Sequence, residues 1–141
     1  MKVFPTTVDF DINDEKPFLA YRLLIEEAGD YTAEVWTTPV NSVRNMRPLR
    51  FQLTAGKKND CIVTTVLASF KAGDLDYFPW CQGVLDNIRI NKISLSFDKG
   101  IQEISISALE AGLVLEKILI YRNGNEPLKS YLGPPESFYT K

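Results

Sequence analysis

The sequence predicts an all-β protein, an antiparallel β-sandwich of eight or nine short strands, and three observations support this fold class. Apolar and polar residues alternate with a period of two through most of the chain, which is typical of half-buried strands. Gly, Asn and Asp residues separate these segments at turn-like positions. No segment shows a convincing helical period. The same strands could also close into a barrel, which is the alternative architecture.

Local patterns define the individual strands. Alternation is clearest in residues 49–54 and 92–98, whereas residues 61–68 are rich in β-branched side chains and follow a polar turn. Residues 101–121 also offer a helical face, but two glycines interrupt it and β-branched alternation favours two strands. The second of these strands is apolar on both faces, which predicts a central strand or one covered on both sides. In chain order the predicted strands are 3–10, 18–26, 31–35, 49–54, 61–68, 84–90, 92–98, 101–109 and 113–121.

The whole chain, residues 1–141, is predicted to form a single domain. This length suits one domain with a sizeable core, and no internal repeat or linker divides it. Three segments do not fit as strands. They are a loop over residues 39–48 that carries Arg44 and Arg47, an aromatic stretch over residues 74–80, and a Pro-rich tail over about residues 123–141.

Charge and histidine content exclude several classes of function. The chain has 16 Lys or Arg and 18 Asp or Glu, a net charge of −2, which argues against a general nucleic-acid binder because such proteins need a basic face. It contains no histidine, so Ser-His-Asp and Cys-His catalytic systems are excluded. We expect no cofactor and no metal. No apolar run has the length of a transmembrane helix or of a signal peptide, so we expect no membrane association.

The cysteines and the acidic stretch give only weak indications of a disulfide or of a metal site. Cys61 and Cys81 have no partners for a zinc site, and they could form a disulfide in an exported protein, although Cys61 is better explained as a small buried apolar residue. Residues 9–15 resemble the start of a calcium-binding loop but lack its required Gly, and Ala20 stands where its Glu is needed. An ordinary solvated turn is the better interpretation of this stretch.

Aromatic and arginine side chains are the best candidates for ligand contact. Trp36 falls on the polar side of its strand, which predicts an exposed ring or an interface anchor, and exposed rings can stack on sugars. Arg44, Arg47 or Arg50 could hold a uronic carboxylate through forked hydrogen bonds. Alternatively, Trp80 closes one end of the sandwich and the arginines are simply solvated. The candidate contact residues are Trp36, Tyr77, Trp80, Arg44, Arg47 and Tyr131.

Two stretches near the C-terminus show a resemblance to a known family. Residues 112–120 (GLVLEKILI) and 128–137 (LKSYLGPPES) resemble the C-terminal domain of glycoside hydrolase family 115, whose members are xylan α-glucuronidases. Features upstream, such as residues 47–51 (RPLRF) and Trp80, occur in the order that this family shows. The similarity extends over about residues 18–137.

The resemblance implies an accessory role for this chain. In that family the active site lies mainly on other, larger domains, so no catalytic residue can be assigned here, and the expected fold is a jelly-roll or galactose-binding-like sandwich. The implied partners are the catalytic domains of a larger glycosidase, glucuronoxylan and a second copy in a homodimer, and the implied location is periplasmic or secreted. A dimerisation or domain-docking module without glycan binding is the alternative. A stand-alone hydrolase that uses Glu34, Asp74 or Asp76 ranks last.

Overall fold

Two antiparallel sheets face each other across the core in the computed structural model, which describes residues 16–42, 47–56, 59–68 and 77–127. The larger sheet has the strand order β1-β6-β3-β4, and the smaller sheet has the order β5-β2-β7. Within the described ranges the elements are β1 (Phe18–Ile25), β2 (Gly29–Thr37), β3 (Leu49–Ala55), β4 (Asn59–Val66), α1 (Tyr77–Asp86), β5 (Arg89–Phe97), β6 (Gly100–Ala108) and β7 (Leu115–Arg122).

This topology confirms the predicted antiparallel sandwich. Among the described strands, every connection except that between β3 and β4 joins one sheet to the other, and the two sheets remain separate instead of closing into a barrel. Seven strands are described where eight or nine were predicted. The predicted strand at residues 3–10 lies outside the described residues, as do Arg44, Asp74, Asp76, Tyr131 and the acidic stretch 9–15.

Strand β3 forms the centre of the core, because every second residue along it is apolar and buried. Leu49, Phe51, Leu53 and Ala55 are all at most 1% exposed, and β3 lies between β6 and β4 in the larger sheet. Because side chains of a strand point alternately to the two faces, every second residue of β3 packs toward the smaller sheet. The core of the opposite sheet includes Ala33, Val35, Leu95 and Phe97.

The helix α1 corrects the predicted strand over residues 84–90. Residues Tyr77–Asp86 form an α-helix, and the following strand starts only at Arg89. Asn87 ends the helix with a φ of 57°, while the amides of Asn87 and Ile88 donate to the carbonyls of Val84 and Gly83 at 3.3 and 2.9 Å. This pair of bonds is a Schellman cap, in which Asn replaces the more common Gly. Without a Gly at this position, and with apolar residues around most of the helix, the sequence did not suggest a helix end.

The last strand, which was predicted to be central or covered on both sides, is not central. β7 lies at an edge of the smaller sheet, and β2 is its centre. Leu115 and Tyr121 are the buried residues of β7, and the side chains from Lys117 to Ile120 are half-buried. Three of its apolar residues, Leu115, Ile118 and Ile120, line a cleft that is described below. No helix of the described residues is long and apolar enough to cross a membrane.

Gly100 is required where the chain passes from β5 to β6. Its φ is +117°, a conformation that residues with a side chain rarely adopt, and no atom lies within 4 Å of the position that a Cβ would take. Gly100→Ala should therefore lower the free energy of unfolding by about 1–3 kcal/mol through backbone strain alone. Chemical denaturation of the two proteins measures this difference. A variant as stable as the wild type would show that this turn can change its backbone conformation at no cost.

Candidate functional site

A cleft opens between the two sheets where the edge strands β1 and β7 lie side by side. It has a volume of about 510 Å³, within the range of about 300–1,000 Å³ that small-molecule sites occupy. Its position follows from topology, because β1 ends the larger sheet and β7 ends the smaller one. Its apolar walls are formed by Leu19, Leu23, Ile104, Leu115, Ile118 and Ile120.

The polar residues of this β1–β7 cleft include an aromatic ring and charges of both signs. Tyr21 is 48% exposed, Arg22 and Glu116 are exposed, and Lys117 is half-buried. Glu116 accepts a hydrogen bond of 2.8 Å from the Thr38 hydroxyl, which fixes its carboxylate. The cleft therefore combines an apolar interior with an aromatic ring, two cationic side chains and one carboxylate.

Lys117 connects this cleft with a polar cluster on the outer face of the smaller sheet. Its ammonium group lies 4.8 Å from the centre of the Trp36 ring, a cation–π contact between two residues that face each other across β2 and β7. The Trp36 Nε1 donates to Glu34 Oε2 at 3.1 Å. Tyr121 Oη donates to Glu34 Oε1 at 2.9 Å, and Lys92 Nζ lies 3.2 Å from the same oxygen. We call these five residues the Glu34 cluster.

The Glu34 cluster holds its carboxylate in the charged form. Burial alone would raise the pKa of Glu34, but hydrogen bonds from Trp36, Tyr121 and Lys92, with the charge of Lys92, outweigh it and hold this pKa below 4.5. Burial and the hydrogen bond to Glu34 raise the pKa of Tyr121 above 10.0. The hydrogen bond to Glu34 and its negative charge raise the pKa of Lys92 above 10.5. Both oxygens of Glu34 are thus occupied by donors of the protein itself.

The expectation that Trp36 is an exposed ring is wrong, although its predicted face is correct. Ala33 and Val35 point into the core, so Trp36 lies on the outer face of the sheet, yet it is only 8% exposed. Lys117 lies over the Trp36 ring, and Glu34 accepts a hydrogen bond from the indole N–H. Its assignment as a ligand contact stays a prediction.

Tyr77 and Trp80 both lie on α1, away from the β1–β7 cleft. Trp80 is half-buried and packs against the core, which agrees with the interpretation that it closes one end of the sandwich. Tyr77 is half-buried and forms an edge-to-face contact with Phe78 at 5.5 Å between ring centres. These two rings thus lie on the helix, whereas Trp36 lies on β2.

The arginines have different environments. Arg47 is exposed just before β3. Arg50, a further arginine considered for carboxylate binding, is engaged internally, because its Nε donates to Glu110 Oε1 at 2.8 Å and its backbone amide donates to Glu110 Oε2 at 2.7 Å. Glu110 is 7% exposed, so this ion pair is structural.

The two cysteines are free thiols, and the disulfide that the sequence allowed is not formed. Cys61 packs against the core from a half-buried position, and burial together with the nearby Asp60 raises the pKa of its thiol. Within the described ranges, no three Cys, Asp or Glu side chains converge in a way that could hold a metal ion.

The sequence pattern alone did not predict which residues line the β1–β7 cleft. Tyr21 and Arg22 belong to β1 (FLAYRLLI), whose largely apolar sequence gives no indication that the strand lies at an edge. The apolar residues that β7 contributes to the cleft are Leu115, Ile118 and Ile120, which are typical of any buried strand face and therefore gave no separate indication of a site.

Comparison with known proteins identifies the family. The family model of the glycosyl hydrolase family 115 C-terminal domain matches residues 1–136. A solved family GH115 4-O-methyl-α-glucuronidase, with specificity for decorated arabinogalactans, superposes with a TM-score of 0.65 and 20% identity over 77% of this chain. The chain corresponds to only 13% of that enzyme. Among curated proteins, none matches this chain significantly.

Two carbohydrate-binding modules share the fold. A family 35 module from an environmental isolate superposes with a TM-score of 0.51 at 15% identity, and the match covers 77% of this chain and 68% of the module. The C-terminal family 6 module of a marine laminarinase from Zobellia galactanivorans superposes with a TM-score of 0.51 at 12% identity, over 77% of this chain and 75% of the module. Together with the match over residues 1–136, these findings confirm the resemblance noted in the sequence, and this chain belongs to the glycosyl hydrolase family 115 C-terminal domain family.

Proposed function

We propose that this chain is a non-catalytic accessory domain of a larger glycosidase and that it binds an acidic glycan in the β1–β7 cleft. The cleft is the observation that carries the proposal. Its volume of about 510 Å³ suits a small ligand, and its aliphatic walls can contact the apolar face of a sugar ring. The exposed ring of Tyr21 can stack on that face.

The charges of the cleft favour a uronic acid over a neutral sugar. Arg22 presents a planar guanidinium that can form two parallel hydrogen bonds to a carboxylate, and Lys117 adds a second cation. Glu116 can accept hydrogen bonds from sugar hydroxyls. Glucuronoxylan, which carries glucuronic acid side groups, is therefore the ligand that we test first. A domain that binds such a polymer would act in the periplasm or outside the cell.

A catalytic role has less support. Both oxygens of Glu34 receive hydrogen bonds, and the residue is 9% exposed, so its carboxylate is not available to a substrate. The fold similarity to carbohydrate-binding modules also agrees with a binding function.

Calorimetric titration tests the proposed site. An acidic oligosaccharide derived from glucuronoxylan should bind to the wild type, and a neutral xylo-oligosaccharide of the same length should bind at least tenfold more weakly. Tyr21→Ala should weaken binding of the acidic ligand about tenfold or more, because the stacking surface is lost; this corresponds to about 1.4 kcal/mol.

Tyr77→Ala is the matched control, since it removes the same kind of side chain from α1. Tyr77 is also one of the candidate contact residues predicted from the sequence. It should leave the affinity unchanged. A loss of affinity in Tyr77→Ala but not in Tyr21→Ala would move the site to the helix. The absence of heat with millimolar ligand would leave the architectural role alone.

A further inference from the structure

The helix α1 exposes two large apolar side chains on one side. Phe78 is 75% exposed and Leu85 is 80% exposed. They are separated by seven residues, which is close to two turns, so they lie on the same face of the helix. We call this surface the α1 face. A solvated helix normally presents polar residues outward, so this exposure needs an explanation.

The α1 face is also poor in charge. Among the ten residues of α1 (YFPWCQGVLD), Asp86 is the one charged residue, whereas 24% of the whole chain is charged. Interface cores are depleted of charged residues, so the low charge of α1 is typical of a contact surface.

The helix is firmly attached to the body of the domain on its other side. Gly83 is buried, and the Cβ atoms of Pro39 and Arg89 lie 3.7 Å from the position that its own Cβ would take. Trp80 packs against the core, and the Schellman cap closes the C-terminal end. The apolar side chains of the α1 face are therefore presented by a fixed element.

The size of the α1 face indicates which kind of partner covers it: a second, free copy of this protein or another domain of the same polypeptide. A ten-residue helix is about 15 Å long and about 10 Å wide. Its exposed side is therefore far smaller than the roughly 800 Å² per partner that a stable complex of free proteins buries. Two free copies would gain too little from it. A partner tethered in the same polypeptide needs less area, because the connection supplies a high effective concentration.

We infer that the α1 face docks onto another domain of the same polypeptide. The inference rests on the proposed role as an accessory domain of a larger glycosidase but not on glycan binding. The matched region is 13% of the family 115 glucuronidase, so most of that enzyme is available as a partner. The contact should be apolar on both sides, with Phe78 and Leu85 as its anchors.

Site-specific photo-crosslinking in the complete polypeptide encoded by the gene tests this contact. Phe78→p-benzoylphenylalanine places a photoreactive aromatic ring on the α1 face with little change in shape. We expect an intramolecular product of monomer mass, in which mass spectrometry maps position 78 to a residue outside this 141-residue chain. Phe18→p-benzoylphenylalanine is the control, because Phe18 is an equally large ring that is 64% exposed on the larger sheet.

The possible products decide the question. A crosslink from position 78 to another domain, at least fivefold more abundant than from position 18, supports the inference. A product of twice the mass would overturn it in favour of a second copy. Equal yields at the two positions, or a gene that encodes no further domain, would also overturn it. None of these outcomes depends on the cleft, so failure of glycan binding and failure of docking are distinguishable.

Discussion

Replacing Glu34 with alanine should lower the free energy of unfolding by about 3 kcal/mol. The substitution removes the acceptor used by the Trp36 indole and the Tyr121 hydroxyl, which are 8% and 9% exposed, and a buried donor that loses its acceptor costs about 1–3 kcal/mol. Denaturant unfolding measures the change. Glu103→Ala, at an exposed position of β6, is the control and should alter stability by less than about 0.5 kcal/mol.

The same cluster predicts how stability depends on pH. Because the pKa of Glu34 lies below 4.5 in the folded protein, its contribution is complete above the pKa of the unfolded chain and is lost as the pH falls through the lowered value. The stability difference between wild type and Glu34→Gln should therefore shrink below about pH 4.5. At the alkaline end, the raised pKa values of Tyr121 and Lys92 mean that their contributions are lost as the pH rises through those values. A difference that is constant from acidic to neutral pH would contradict this account of the cluster.

Phe51→Ala should destabilise the domain by about 3–5 kcal/mol, the largest effect that we expect from a single substitution. Phe51 is 0% exposed at the centre of β3, where its neighbours in register are Ala108 of β6 and Val63 of β4. Both neighbouring strands hold their positions through backbone hydrogen bonds, so the cavity cannot close easily.

Phe18→Ala removes the same side chain from the outer face of β1 and is the control for Phe51→Ala. Because Phe18 is 64% exposed, the free energy of unfolding of this variant should lie within about 0.5 kcal/mol of the wild-type value. Similar losses in the two variants would mean that the core is not centred on β3.

The two proposed surfaces of this domain are separate. The cleft lies beside β7, and α1 contacts β5, which is the opposite edge of the same three-stranded sheet. A domain docked through α1 would therefore leave the cleft accessible. On the proposed function, this arrangement would let the domain hold a polysaccharide while it remains docked to another domain of the same polypeptide.

Part of the candidate site could not be predicted from the sequence, because it depends on the contacts between strands. Trp36 was placed on the correct face by the alternation of β2, but its burial depends on Lys117, which is 81 residues away in the chain and opposite in register. Tyr21 and Arg22 gain their role only because β1 ends one sheet and β7 ends the other. The helix was missed because its end is formed by Asn87 in a left-handed conformation instead of by glycine.

The amino-acid pattern by itself determined the fold class, and the resemblance near the C-terminus indicated the family. A period of two requires half-buried strands, and an apolar face on each strand must be covered by a second layer, so the sandwich follows from local chemistry. Only the tertiary structure decided which strands lie at the edges, which side chains cover Trp36 and which apolar residues of α1 face the solvent. Strand order and register bring together residues that are distant in the chain, and no local pattern contains that information.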